Sequence, residues 1–170
     1  MREIKFKAKA IRVKGREYRT NYKNGDWVYG LLTKNYDEQF GFPAEMRNVD
    51  GVSGIEVGYK TVCQYTGLKD INGKEIWEGD KVKFLGKICE VVFEIGVFGI
   101  VNNEGFDYDP IESAVKSIIA SKNYNGCYND NFISLWELYW NFDGEEDCIN
   151  EVEVIGNIND KEADNEKNKD

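Results

Sequence analysis

Asp70 and Asp80 stand in the stretch QYTGLKDINGKEIWEGDKVKF, together with Gly67, Asn72-Gly73, Trp77 and Glu78-Gly79. Paired carboxylates serve acid/base chemistry or hold metals, and neighbouring glycines serve phosphate binding. The spacing opposes a phosphate cradle. Gly67, Gly73 and Gly79 are six residues apart and strand-like segments follow, whereas a phosphate loop packs its glycines into one turn before a helix. Two further acidic groups occur, Asp107 and Asp109 in FDYDP, and Asp143, Glu145, Glu146 and Asp147 in DGEED. Neither has the alternating oxygens, central Gly and closing Glu of a calcium loop in register.

The chain contains no histidine. That removes Ser-His-Asp and Cys-His nucleophile pairs, imidazole bases and histidine metal ligands. Cys63, Cys89, Cys127 and Cys148 lie far apart without a Cys-x-x-Cys, so they read as reduced thiols in or near a core rather than as a zinc site. An enzyme would need clustered acids or a low-pKa thiol that the linear sequence does not display. The expectation is a non-enzymatic protein without metal or cofactor.

The elements that would position these residues are mostly strands. Seventeen glycines, two prolines and 14 % aromatic residues suit short strands with tight turns. At 170 residues the chain can bury roughly two thirds of the surface its unfolded form exposes. In residues 1–14, Lys5, Lys7 and Lys9 alternate with Ile4, Phe6, Ala8 and Ala10, predicting a strand with one buried and one wet, lysine-bearing face. Asn24-Gly25 predicts a hairpin with a type I′ turn inside YRTNYKNGDWVYGLL, placing Trp27, Tyr29 and Leu31 on one face and Val28, Gly30 and Leu32 on the other. KNYDEQFGFPAEMRNVDGVSG has no period and reads as a long loop, and IEVGYKTVCQY resumes a strand.

Beyond the glycine-rich stretch, KVKF directs Val82 and Phe84 inward, Gly86 marks a turn, and KICEVVFEIG returns with Cys89, Val91 and Phe93 on one face. GVFGIVN is a third strand. A helix is predicted over about 110–122, capped by Asp109 and opened by Pro110, with Ile111, Ala114, Val115, Ile118 and Ile119 on one stripe. FISLWELYWNF is ambiguous by period and favours a strand by its aromatics, and EVEVIGNI would close a barrel. No internal repeat stands out. The expected organisation is mainly β: an N-terminal β region over 1–65, an SH3-like small barrel over 66–158 with the helical insertion, and a disordered acidic tail over 159–170.

Net charge is −9. That opposes duplex binding through a broad basic patch but leaves room for a local one around the N-terminal lysines. No run approaches the ~20 apolar residues of a membrane span, and no apolar stretch follows the charged N-terminus, so a cytoplasmic location without membrane contact is expected.

MREIKFKA, WVYGLL, VCQYTGLKDINGKEIWEGDKVKF and EVIGNI together resemble the YopX family of proteins from temperate phages and prophages of low-GC Gram-positive bacteria. The similarity spans most of residues 1–158 and is densest in Tyr65, Thr66, Gly67, Asp70, Asn72, Gly73, Glu78, Gly79 and Asp80. After EVIGNI the family's usual Tyr-Glu-Asn-Pro ending is replaced by the acidic tail. The resemblance implies phage origin and an SH3-like C-terminal part, and it supplies no activity or catalytic residue. The Tyr65–Asp80 motif is thus expected to be an architectural corner, with glycines setting reversals and Asp70 and Asp80 accepting backbone hydrogen bonds.

A protein–protein interaction module follows as the leading expectation. Its partner is a host or phage protein or a second copy of the chain, and its candidate contacts are Trp136, Tyr139, Trp140 and Phe142. The alternative is a nucleic-acid-related role, either single-strand binding by barrel aromatics or acidic mimicry of DNA.

Overall fold

The computed structural model describes residues 4–11, 22–35, 43–94, 96–106, 131–140 and 152–160. The predicted helix over 110–122, both acidic groups, Phe142, Cys127, Cys148 and residues 161–170 lie outside them. The fold is mainly β, with two antiparallel sheets, and the chain divides into two compact units at Gly67/Leu68.

In the first unit β1 (Phe6–Lys9), β2 (Trp27–Lys34), β3 (Ala44–Asn48) and β4 (Ile55–Val57) pair in sequence, a 3-10 turn follows at Tyr59–Thr61, and β5 (Cys63–Lys69) returns to pair with β1. An isolated bridge between Ala10 and Val57 joins β4 to the continuation of β1, so the sheet curls strongly. Ala8, Ala10, Val28, Ala44, Met46, Ile55 and Val57 form the core inside the curl, and the small residues permit its tight radius.

Gly30 is where β2 changes partners, lying opposite Phe6 of β1 and Asn48 of β3. Its φ is 156°, and a Cβ there would sit 2.0 Å from the Arg47 carbonyl oxygen. Val28, Gly30 and Leu32 face inward and Trp27, Tyr29 and Leu31 outward, as the alternation predicts. Two expectations are corrected. Strand β2 pairs with β1, and among the described residues Gly25 has positive φ while Asn24 does not, which excludes a type I′ turn. The stretch read as one long loop contains β3, whose inward Ala44, Met46 and Asn48 are too mixed in polarity to announce a strand.

β5 spans the division, and its end turns into the hairpin with β6 (Glu75–Trp77). The second unit's sheet consists of β7 (Asp80–Phe84), β8 (Lys87–Glu94), β9 (Val97–Val101), β10 (Phe132–Ser134) and β11 (Glu153–Asn157), in the order β10-β9-β8-β7-β11. Val82, Phe84, Cys89, Val91, Phe98 and Ile100 fill its core with Leu135 and Leu138 of the short helix α1 (Leu135–Trp140). β11 pairs with β7, but the described strands do not close into a barrel, because β10 and β11 remain opposite edges. FISLWELYWNF divides into β10 and α1 instead of one strand; Leu135 and Leu138, three residues apart, are both buried, a helical spacing masked by the surrounding aromatics.

Among the described residues, and leaving β6 aside, both units show one order: four sequential antiparallel strands, a short helical turn, and a fifth strand returning beside the first. The repetition is one of topology and left no matching residues in the sequence.

The β7–β8 reversal supplies a direct test of backbone strain. Leu85 has φ 46° and Gly86 φ 81°, the two positive values of a type I′ turn, and the Leu85 side chain is exposed. Leu85→Asn should stabilise the protein by about 0.5–1 kcal/mol, since Asn tolerates this region better. A denaturation midpoint unchanged or lowered would contradict it.

Candidate functional site

The Asp70 carboxylate organises the β5–β6 turn. Its Oδ1 accepts from Asn72 N at 2.9 Å and Lys74 N at 2.8 Å, while Oδ2 accepts from Val154 N at 2.9 Å. Gly73, with φ 76°, donates to the Asp70 carbonyl oxygen at 2.9 Å, and Asp70 N donates to Lys74 O at 2.8 Å. A residue in the left-handed region after a tight turn is what a bulged three-residue hairpin loop needs, hence Gly at this position. Lys74 Nζ reaches the Val154 carbonyl oxygen at 3.3 Å. The turn is thus fastened to β11 far along the chain.

Asp80 does the equivalent one turn later. Its Oδ2 accepts from Trp77 N at 2.8 Å and its Oδ1 from Asn157 Nδ2 at 2.8 Å. Gly79 between them has φ 75°, donates to Val91 O at 2.7 Å and accepts from Ile158 N at 2.9 Å. Asp160 Oδ2 takes Asn157 N at 2.9 Å and Asn157 Oδ1 takes Asn159 N at 2.9 Å. Asn159, assigned to the tail by composition, is buried, and it and Asp160 form the 3-10 turn that ends this unit.

Asp70 and Asp80 are both almost wholly buried, and every carboxylate oxygen of the pair already accepts a protein donor. Buried carboxylates engaged in this way fix the chain segments whose donors they accept. Glu78 is half-buried between them. Tyr65, Thr66 and Gly67 belong to the first unit, where Tyr65 and Thr66 are buried and Gly67, φ 88°, lies within β5 rather than at a reversal. The partners Lys74, Val154 and Asn157 went unread in the sequence because they act through backbone atoms or across long chain separations. The Asn-x-x-Asp spacing of Asn157 and Asp160 was the one local signal.

The first unit carries a different kind of surface. Across the outer face of its sheet, Lys7 stands opposite Tyr29 and Lys9 opposite Trp27, Leu31 lies opposite Arg47, and Val49 N donates to Tyr29 O at 3.1 Å. Tyr29 is 42 %, Leu31 52 % and Val49 76 % exposed, and Arg47 is exposed beside them. The lysines lie over aromatic rings: Lys9 Nζ is 4.2 Å and Lys7 Nζ 4.9 Å from the Trp27 centroid, and Lys5 Nζ is 4.5 Å from that of Tyr65. The expected wet lysine face is corrected in part, since Lys7 is buried, with its ammonium over the Trp27 ring.

Of the contacts predicted near α1, Trp136 is 58 % exposed, its N–H donating to Ser134 Oγ at 3.2 Å. Tyr139 and Trp140 are described as helical backbone only. Among the described residues no helix is long and apolar enough to cross a membrane.

Burial pushes the Cys89 thiol up to about 11, against the opposing pull of an Asn102 side-chain hydrogen bond and the Lys87 charge. Cys63 is buried as well. At pH 8 both should resist alkylation in the folded protein and react fully once it is unfolded, read by peptide mass spectrometry. Rapid native labelling of Cys89 would mean an accessible thiolate.

A family model described as YopX protein matches residues 5–162. No curated protein matches the chain.

Proposed function

The chain belongs to the YopX family, and on that premise we propose that it is a non-enzymatic protein–protein interaction module whose contact surface is the outer face of β1–β3. One observation carries this reading: Tyr29, Leu31 and Val49 are exposed side by side with Arg47 on a sheet whose inner face already has its core. Exposed aromatic and aliphatic residues at neighbouring positions of one sheet, with arginine among them, have the composition of interface centres. The aspartates of the densest motif support it from the other side, because their oxygens are occupied by backbone and side-chain donors. Trp136 is a second contact candidate on the other unit.

The shared strand order supports an SH3-like reading of both units, an extension from the second to the first. The proposed setting is the cytoplasm of a bacterium carrying a phage or prophage, with a host or phage protein as partner. A tagged pull-down from such a lysate, with and without nuclease, tests it. The expected result is one protein retained in both conditions by the wild type and lost by Leu31→Asp. Retention that vanishes with nuclease would favour single-strand binding, and a partner kept by Leu31→Asp but lost by Trp136→Ser would move the surface to α1.

A further inference from the structure

We propose that the β5–β6 turn guards the edge of β11, and that an uncovered β11 pairs antiparallel with the β11 of a second copy of this chain. This stands apart from the contact surface proposed on β1–β3. β11 is an end strand of its sheet and pairs with β7 on one side. An end strand presents a row of backbone donors and acceptors that another extended chain can take, and native proteins cover or charge such rows.

Here one turn covers the row. Ile71 N donates to Val152 O at 3.1 Å, Val154 N donates to Asp70 Oδ2 at 2.9 Å, and Lys74 Nζ donates to Val154 O at 3.3 Å. Beyond the turn, Asn157 N donates to Asp160 Oδ2 at 2.9 Å. A carboxylate and an ammonium therefore hold the two Val154 groups that a neighbouring strand would bond. The turn itself is closed by backbone, Asp70 N to Lys74 O and Gly73 N to Asp70 O, so these side chains can be changed without removing those bonds.

The register of β11 selects a second copy as the occupant. Val154 directs both its N–H and its C=O away from β7, as does a residue that exchanges two bonds with the one opposite it in an antiparallel pair. A two-fold axis at Val154 makes each copy supply what the other takes, an isologous contact. Glu153 then falls opposite Ile155, both of them exposed, and no two carboxylates face each other. In-register parallel pairing would set Glu153 against Glu153, which is unfavourable.

Sedimentation velocity of the purified full chain tests this. Asp70→Asn keeps an acceptor for the turn while its NH2 faces the Val154 N–H, and Lys74→Ala, at an exposed position, releases the Val154 carbonyl. The double variant should show twice the wild-type mass when concentrated and the wild-type mass on dilution. Asp80→Ala, at a buried carboxylate that accepts from Trp77 N and the Asn157 side chain, should keep the wild-type mass. Hydrogen exchange at Val154 in the double variant should be faster than in the wild type when dilute, and should slow as concentration rises. Asp70→Asn alone, read in the same two ways, decides the matter should the double variant fail to fold. A folded variant of wild-type mass at every concentration, equal association of Asp80→Ala, or Val154 exchange indifferent to concentration would each overturn the proposal.

Discussion

Replacing Gly30 by alanine is expected to destabilise the first unit by about 3 kcal/mol, a melting shift on the order of 10 °C for a unit of this size. The added Cβ would sit 2.0 Å from the Arg47 carbonyl oxygen and 2.9 Å from the Asn48 Cα, and both are backbone atoms of the strand paired with β2. A flexible side chain could swing aside, but these atoms move only if β3 separates from β2. Gly54→Ala is the control. Gly54 also has positive φ, 74°, but no atom lies within 4 Å of its Cβ position, so it should lose only the roughly 1 kcal/mol of left-handed strain. Equal losses for the two variants would show that close strand approach is not what Gly30 serves.

Asp70→Ala should cost the second unit about 3 kcal/mol, because three backbone N–H groups lose a charged acceptor at a position only 6 % exposed. The loss should also have a location. Amide exchange at Val154, 84 residues away, should accelerate together with that of Asn72 and Lys74. Asp70→Asn should fall between, since an amide oxygen can keep the turn's two donors while its NH2 would face the Val154 N–H. Unchanged exchange at Val154 after Asp70→Ala would mean that β11 does not depend on this carboxylate.

These two positions also mark how far the sequence could be read. Gly30 appeared only as an inward member of an alternating strand, because the close approach that requires glycine comes from Arg47 on a strand hidden in an aperiodic stretch. The local half of Asp70's role was legible, as Asp before Asn-Gly is a turn signal whose carboxylate meets the next amides. Its bond to Val154 was not, since a backbone amide carries no residue signature. The exposure of Trp136 could not be told from its aromatic-rich segment, which suits a core equally well, and Tyr29 and Leu31 became neighbours of Arg47 and Val49 only through strand pairing.

The sequence by itself determined the β-rich class, the inward sets Val28-Gly30-Leu32 and Val82-Phe84, the glycine-bearing turns and the family, because alternation, turn chemistry and motif order are properties of adjacent residues. Only the tertiary structure decided that the described strands of the two units share one order, that Asp70 and Asp80 accept from Val154 and Asn157 of β11, and that the lysines of β1 share a face with Trp27 and Arg47. Each of these depends on which strands pair and in what register, and pairing energy is spread over backbone groups that every residue carries.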